Sequence, residues 1–402
     1  MNTLPTDEEI EGRLADAVGL LTRLIAFPTV SADSNLPLIH FVRDYLESHG
    51  VQAELFPDAS GAKASLWATI GPSHRPGLVL SGHTDVVPVA GQNWTRPPFA
   101  LTDEGERLFG RGTADMKGFL ACVLAMVPVF AARGGTVPIH LAFSYDEEVG
   151  CLGVRPMLEE IAKREPRPWG CVIGEPTSGR PVTAHKGKVA MRCEVVGHAC
   201  HSAYAPEGVN AVEKAARLIV AIEDLAHDFA ANGPRDERFD PPFATAQTGI
   251  VTGGVSVNVV PSRCTFSFEA RSTDEAELDR FLAAVQTRAE QEVLPGMRAK
   301  APETDVRFEL LTRYPALRSP DDATVVALTC EASEESRTGV ISFGSEGGLF
   351  ADAGIPAVIC GPGSMDQGHK PDEYVTREEL RRCLRFLARL GERAQAIQTN
   401  TA

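Results

Sequence analysis

Apolar residues occur along the chain in two patterns, the three-to-four-residue spacing of helices and the short unbroken runs of buried strands. Residues 7–26 show the helical spacing up to Pro28, which predicts an amphipathic opening helix. Residues 77–82 and 137–144 are typical of buried strands, and residues 117–132 between them are apolar enough for a buried helix. This order predicts a βαβ unit.

Two further apolar runs, residues 169–173 and 356–360, end at glycine-containing turns and extend the same parallel sheet. The intervening part of the chain has a different pattern, with predicted helices and strands at 188–197, 210–227, 246–252, 256–260, 263–271, 274–293 and 305–311. The predicted fold class is therefore α/β. A discontinuous domain with a mainly parallel sheet (residues 1–185 and 315–402) carries a smaller inserted α+β domain (residues 186–314).

Composition and charge narrow the possible classes of protein. The formal net charge of −15 disfavours nucleic acid or an anionic membrane surface as a partner. The most apolar stretch, Phe119 to Ala132, is too short to span a bilayer, and the acidic N-terminus does not resemble a targeting segment. Nine cysteines without a CxxC pair are typical of reduced thiols, so we expect a cytoplasmic protein.

Polar residues with metal-binding side chains follow the predicted strands. Because the carboxyl ends of parallel strands meet at one edge of a sheet, these residues are expected to lie close together. They are His83, Asp85, Asp115, Glu147, Glu148, Glu175 and His369. Taken singly, each has a simpler interpretation as a solvated loop residue or a hydrogen-bonded histidine, but their joint placement favours a metal site.

The number of candidate ligands exceeds what one divalent ion can use. Two ions about 3.5–4 Å apart need a bridging carboxylate and one histidine each, which matches this set. Imidazole and carboxylate without thiolate suit zinc, cobalt or manganese. Zinc is the default expectation, and cobalt can substitute for it.

The segments SGHTDVVP, GRGTADMKG, SYDEEVG, GEPT and GHKPDEY resemble the M20 family of metallopeptidases and deacylases over nearly the whole chain. The resemblance implies that one ion is held by His83, Asp115 and Glu175 and the other by Asp115, Glu148 and His369. Asp115 would bridge the two ions. The family also places a cis peptide bond after this aspartate.

Roles in catalysis follow from the same resemblance. Glu147 is the implied general base, which activates the attacking water and returns a proton to the departing amine. Asp85 is expected to accept the second ring hydrogen of His83 and so fix its tautomer. A turn-forming aspartate is the alternative for Asp85.

Within the inserted domain, the segment GHACHSAYAPEGVNA resembles the family region whose histidine stabilises the oxyanion in the site of a partner subunit. His201 fits that position, which implies a homodimer formed through the inserted domain, whereas a helix cap or surface group is its alternative role. Asn258 and Arg271 are implied contacts for the substrate carbonyl and carboxylate. An ordinary strand-end arginine with a solvated head is an equally good interpretation of Arg271.

The segments IGEPTS, AHKGK and GPGSMDQGHKPDEYV most resemble family members that remove the acetyl group from acetylornithine, an N-acyl amino acid. Glu346, in SEGG, is hypothesised to receive the cationic side chain of this small molecule, with a structural ion pair as the alternative. The segments SEGG and GHKP differ from the commoner family patterns, which leaves acetylcitrulline, acetylmethionine and succinyl-diaminopimelate as other substrates.

Two competing functions are compatible with these features. A general aminoacylase, dipeptidase or carboxypeptidase of the same family would use the same metal chemistry on another substrate. A catalytically silent metal-binding or interaction protein could keep the fold and lose turnover. The complete ligand set and the presence of Glu147 argue against a silent protein.

Overall fold

The computed structural model of the chain describes residues 6–397. Its helices are α1 (Asp7–Ile25), α2 (Leu36–Ser48), α3 (Lys117–Ala132), α4 (Val154–Ile161), α5 (Ala211–Asn232), α6 (Glu275–Arg288), α7 (Leu294–Arg298), α8 (Thr324–Ser333), α9 (Gly347–Asp352) and α10 (Arg377–Ala394). Its strands are β1 (Ala53–Pro57), β2 (Ala64–Ile70), β3 (Leu78–His83), β4 (Thr102–Glu104), β5 (Arg107–Phe109), β6 (Ile139–Ser144), β7 (Gly170–Pro176), β8 (Val182–His185), β9 (Gly187–Val196), β10 (Thr245–Gly253), β11 (Arg263–Ser272), β12 (Asp305–Tyr314), β13 (Leu317–Arg318), β14 (Gly339–Ile341), β15 (Ala357–Gly361) and β16 (Tyr374–Thr376).

The chain divides into two compact units. Within the described residues, unit 1 comprises residues 6–184, 317–340 and 345–397, and unit 2 comprises residues 185–316 and 341–344. Unit 2 is therefore inserted into unit 1 in sequence. None of the helices described between residues 6 and 397 is long and apolar enough to cross a membrane.

Unit 1 is built on a sheet with the strand order β1-β2-β6-β3-β7-β15-β8-β13, and β14 pairs with β8. Its four central strands, β6, β3, β7 and β15, pair in parallel, whereas β1, β2 and β8 pair antiparallel. The predicted mainly parallel sheet is thus confirmed. Because the central strands are parallel, their carboxyl ends lie along one edge, where ligands bind in such sheets.

Helix α3 lies in the core of unit 1. It packs against β2, β3 and β7, and the amphipathic helices α1 and α10 pack against it. Its side chains are buried nearly all round, as expected for a helix covered on every face, and it continues through Pro128. Helix α1 begins at a capping box in which Thr6 and Glu9 satisfy each other's backbone amides.

Unit 2 contains an antiparallel sheet with the order β10-β11-β9-β12. Buried and partly exposed side chains alternate along β9 and β11, so the sheet buries one face, and helices α5 and α6 pack against these strands. The predicted strand at residues 256–260 is wrong. Gly254 turns the chain at a φ of +79°, and Val255 and Val257 are 89% and 101% exposed, so their alternation with polar residues only imitates a half-buried strand.

Candidate metal centre

Three neighbouring strands bring the first candidate ligands together. His83 is the last residue of β3, Glu175 lies near the end of β7, and Glu148 follows the end of β6. The strands β6 and β7 both pair in parallel with β3. All three side chains therefore reach the same edge of the sheet, as the sequence predicts.

The remaining candidate ligands come from chain segments that return to this edge. Asp115 lies just before α3, and its peptide bond to Met116 is cis, as the family resemblance implies. His369 lies in the loop between β15 and β16 and has a positive φ of 60°.

Together the side chains form two groups with the spacing of metal ligands. The inner triad is defined as His83, Asp115 and Glu175, and the outer triad as Asp115, Glu148 and His369. Within each triad, ligand atoms lie within 4.8 Å of one another. These are the same five residues that the sequence predicts as ligands.

Asp115 joins the two triads because its two carboxylate oxygens point to different imidazoles. Its Oδ1 lies 3.0 Å from Nε2 of His83, and its Oδ2 lies 3.1 Å from Nε2 of His369. The second imidazole is also 3.0 Å from Glu148 Oε2, and the first is 3.8 Å from Glu175 Oε1. This is the arrangement required of a carboxylate that bridges two ions.

The electrostatics of the site favour bound cations. Burial and the neighbouring carboxylates raise the pKa of Glu175 well above its usual value, and the same causes raise the pKa of Glu148 to about 7. Hydrogen bonds to Asp115 and Glu148 raise the pKa of His369 to about 10. Such crowding of buried acids is costly unless positive charge balances it.

The residues fit a dinuclear centre. Glu175 Oε1 is buried and accepts no hydrogen bond from any residue between 6 and 397, so a ligand position is open at this atom. The donors are imidazole nitrogens and carboxylate oxygens, which zinc, cobalt and manganese accept. His83, Asp115 and Glu175 would hold one ion, and Asp115, Glu148 and His369 the other.

Glu147 lies next to the outer triad but belongs to neither triad. Burial and nearby carboxylates, including Glu148 and Glu346, raise the pKa of Glu147 well above its usual value. Its Oε1 lies 3.4 Å from the Cys151 thiol, which donates to it. A carboxyl group with a raised pKa beside a metal centre suits general base and general acid chemistry.

Asp85 is placed differently from the expectation. His83 Nδ1 lies 2.8 Å from the backbone carbonyl oxygen of Asp85, whereas the Asp85 carboxylate is 3.5 Å away. The main chain of Asp85, rather than its carboxylate, therefore makes the closer contact that fixes the ring. The carboxylate instead accepts hydrogen bonds from the Ser31 hydroxyl and from the backbone amides of Glu147 and Glu148.

Glu346 does not occupy the exposed position that its hypothesised role requires. The residue is 1% exposed, precedes α9, and accepts a 3.3 Å hydrogen bond from the Ser81 hydroxyl. The expectation that it receives the substrate side chain is at odds with this burial. The alternative ion pair is also absent, because no lysine, arginine or histidine of residues 6–397 lies within ion-pair distance of it.

The three candidates in unit 2 are held by local contacts. His201 precedes the turn at Ser202–Glu207 and accepts a 3.1 Å hydrogen bond from the Ala203 amide through Nδ1. Asn258 is exposed, and its Oδ1 accepts from the Ser256 hydroxyl at 2.6 Å. The structure thus shows the capping contact that the sequence analysis gave as the alternative for His201.

The third candidate, Arg271, lies near the end of β11, and its side chain is 25% exposed. Its Nε donates to Glu269 at 2.9 Å, and its Nη1 lies 3.5 Å from the Tyr314 hydroxyl. The His198 side chain, in contrast, pairs with Glu303 at 2.6 Å.

Two residues near the site were not identified in the sequence. Arg111 and Glu373 form a buried ion pair, 2.6 Å long, beside the outer triad. Both lie inside segments singled out for other residues, GRGTADMKG and GHKPDEY. Each segment thus contains a charged residue that is not a predicted ligand. These two opposite charges are the sequence signal by which the pair could have been found.

Two imidazoles, a carboxylate common to both triads, two further carboxylates and an adjacent glutamate outside the triads define a dinuclear metal-dependent hydrolase. The comparisons with known proteins agree. Residues 79–393 match the model of peptidase family M20/M25/M40, and the chain belongs to this family.

Individual relatives include deacylases and peptidases. The acetylornithine deacetylase of Myxococcus xanthus is 34% identical over 374 residues, which cover 92% of this chain and 95% of the relative. A metallo-carboxypeptidase of the M20 family from Sulfolobus solfataricus has the same fold, with a TM-score of 0.78 at 18% identity, covering 95% of this chain and 100% of the other. A dinuclear metal-binding M20 peptidase from Bacillus subtilis matches with a TM-score of 0.65 at 16% identity, covering 95% and 98%.

Proposed function

We propose that the chain removes the acetyl group from N2-acetyl-L-ornithine, giving ornithine and acetate, with two divalent metal ions. The observation that carries the chemistry is the pair of triads that share Asp115, with Glu147 beside them. The choice of substrate is supported by relatives named acetylornithine deacetylase, at 31–34% identity over about nine-tenths of this chain. Zinc is the proposed native metal.

In the proposed mechanism, Glu147 acts first as general base and then as general acid. It accepts a proton from the attacking water and then delivers it to the amide nitrogen that leaves as the amine of ornithine. When bound, the two ions supply Lewis-acid polarisation and acidify water. The Asp85 carboxylate holds the backbone amides of Glu147 and Glu148, which fixes the base relative to the outer triad.

His201 is proposed to donate a hydrogen bond to the oxyanion. Because its Nδ1 accepts from the Ala203 amide, the proton of the neutral ring lies on Nε2, which is then a donor. Asn258 keeps its amide NH₂ as a donor for a carbonyl, because its oxygen is occupied by Ser256. Arg271 is proposed to bind the carboxylate of the substrate, in exchange for part of its contact with Glu269.

The proposed active form is a homodimer in which unit 2 supplies His201 to a second copy of the chain. The apolar side chains Val255 and Val257 are 89% and 101% exposed in the loop after β10. Exposed apolar surface of this kind is typical of protein interfaces. A reducing compartment such as the cytoplasm suits this enzyme, because its nine cysteines are free thiols.

A second candidate function is a broader N-acyl-amino-acid deacylase or a carboxypeptidase. The burial of Glu346 favours it, because the one anion nominated to select a cationic side chain is only 1% exposed. One solved structure with the same fold is a metallo-carboxypeptidase. Acetylcitrulline, acetylmethionine and succinyl-diaminopimelate would use the same metal centre.

The test is a comparison of kcat/KM on metal-loaded protein. The purified chain is stripped, reloaded with Zn²⁺ or Co²⁺, and assayed with N-acetylornithine, N-acetylcitrulline, N-acetylmethionine, succinyl-diaminopimelate and a dipeptide. We expect N-acetylornithine to be preferred by at least tenfold, which corresponds to about 1.4 kcal/mol. A flat profile would keep the metal chemistry and reject the substrate, while stripped protein serves as the blank.

A further inference from the structure

A buried ion pair lies beside the outer triad and outside the ligand set. Arg111 Nη1 donates to Glu373 Oε2 at 2.6 Å, and the two side chains are 1% and 0% exposed. Arg111 follows β5, and Glu373 immediately precedes β16, which pairs with β5. The ion pair therefore links the end of β5 to the start of β16.

The second oxygen of Glu373 holds the segment that carries the bridging ligand. Its Oε1 accepts hydrogen bonds from the backbone amides of Ala114 at 2.9 Å and Asp115 at 3.0 Å. These are charge-assisted bonds, which are shorter and stronger than neutral ones. Glu373 thus fixes the main chain of Asp115, and the side chain of Asp115 belongs to both triads.

The other terminal nitrogen of Arg111 is connected, through Gln92, to the loop that carries His369. Its Nη2 donates to Gln92 Oε1 at 2.6 Å, and Gln92 Nε2 donates to the backbone carbonyl of His369 at 2.9 Å. Arg111 Nη1 also lies 3.4 Å from the carbonyl oxygen of Lys370. The guanidinium therefore contacts one group that holds Asp115 and another that holds His369.

We infer that Arg111, Glu373 and Gln92 are positioning residues that set the distance between Asp115 and His369, and so the affinity for the ion of the outer triad. The inference rests on the proposed metal centre. Arginine suits this position because its planar fork reaches two acceptors in different directions, whereas a lysine ammonium acts as a point charge. His83 and Glu175 of the inner triad lie on β3 and β7, so loss of the Gln92 contact to His369 should affect the ion of the inner triad little.

The leading variant is Gln92→Ala, because it cuts the link to His369 and keeps the buried ion pair intact. Stepwise titration with Co²⁺ measures the two affinities, and the visible absorption of bound Co²⁺ reports the ligand geometry. We expect the weaker-binding ion to lose affinity by about 10- to 100-fold, as for other residues that orient metal ligands, and the other ion to change less than about threefold.

Matched variants separate positioning from simple stability. Glu104→Gln removes an exposed ion pair with Arg96 in the same region and should change neither affinity. Combining Gln92→Ala with His369→Ala should add no further loss to that of His369→Ala, because both act on one ion.

The outcomes are distinguishable. Equal losses at both ions, unchanged affinities, or full additivity with His369→Ala would each overturn the positioning role. Failure of wild-type protein to bind two Co²⁺ ions would instead overturn the metal centre on which the inference rests. Because the titration contains no substrate, a wrong substrate assignment does not affect it.

Discussion

The inner and outer triads share Asp115 but differ in their surroundings. The inner side chains of His83 and Glu175 are 1% and 5% exposed and belong to sheet strands, whereas the outer side chain of His369 is 44% exposed and comes from a loop. A ligand fixed in a sheet loses little freedom when an ion binds. A loop ligand needs outside support, such as the hydrogen bond from Gln92.

This difference indicates that the two triads of one metal centre hold their ions with different strength. Burial excludes water from the inner triad and strengthens its interaction with a cation. Exposure at His369 leaves the outer half open to solvent and to ligands. We therefore expect the inner ion to be retained and the outer ion to exchange.

The largest expected effect comes from Glu147, which belongs to neither triad. Glu147→Gln should lower kcat by about 100- to 10 000-fold, because the amide can neither accept nor return a proton. Metal analysis should still find two ions in each chain, since the five ligands are unchanged. Glu159→Gln, at an exposed glutamate of α4, is the control. If kcat is retained, Glu147 is not the base, and loss of an ion would place it among the ligands.

Asp85 tests whether the two halves are independent. Its main-chain carbonyl contacts His83, and its carboxylate holds the amides of Glu147 and Glu148. Asp85→Asn replaces one accepting oxygen with a donor and keeps the carbonyl, so we expect losses of about 10- to 100-fold in kcat and in outer-ion affinity. The measurement is a Co²⁺ titration beside steady-state kinetics. An equal loss at the inner ion would show that the carboxylate, 3.5 Å from the ring, also supports His83.

Much of this site could be predicted from the sequence because its ligands follow strand ends. The apolar runs before His83 and Glu175 predict parallel strands, and parallel strands bring their carboxyl ends to one edge. The same rule does not tell which atom of Asp85 faces the imidazole. That choice depends on the backbone turn after β3, which places the carbonyl at 2.8 Å.

Other features depend on contacts between distant parts of the chain. Glu346 lies in the polar segment SEGG, which suggests an exposed loop, yet packing of unit 1 buries it. The Arg111–Glu373 pair joins residues 262 positions apart in sequence. In contrast, the start of α10 has a local sequence signal, the capping box of Thr376 and Glu379. Pairing and burial follow from tertiary structure, whereas caps can be recognised from a few residues.

Removal of metal by a chelator should show the difference between the triads directly. We expect two phases of Co²⁺ loss, with the outer ion leaving faster because His369 is exposed. The expected ratio of the two rates is at least about tenfold, which corresponds to about 1.4 kcal/mol in the barrier. Visible absorption during mixing with excess chelator measures both phases. His369→Ala should remove the fast phase and leave the slow one. A single phase would mean that the shared Asp115 makes the two ions leave together.

The smallest expected effect concerns Glu346 and the charge around the inner triad. Burial raises the pKa of Glu346 to about 7, with the charged groups of His83 and Asp85 nearby. A carboxyl group with a raised folded-state pKa binds its proton more tightly in the folded protein. Its contribution to stability is therefore fully present below the unfolded-state value of 4.5 and is lost as pH rises through about 7.

Metal-free wild-type protein should accordingly lose more thermal stability between pH 5 and 8 than Glu346→Gln, by up to about 3 kcal/mol. Thermal unfolding of both proteins across this range measures the difference, and Glu159→Gln should follow the wild-type curve. Loading with Zn²⁺ should bring the curves together, because a cation beside His83 lowers the cost of ionising Glu346. Parallel curves without metal would mean that Glu346 ionises freely and that the inner triad is less enclosed than its burial indicates. Equal turnover losses for acetylornithine and acetylmethionine in Glu346→Gln would support a structural role, since a buried group cannot distinguish their side chains.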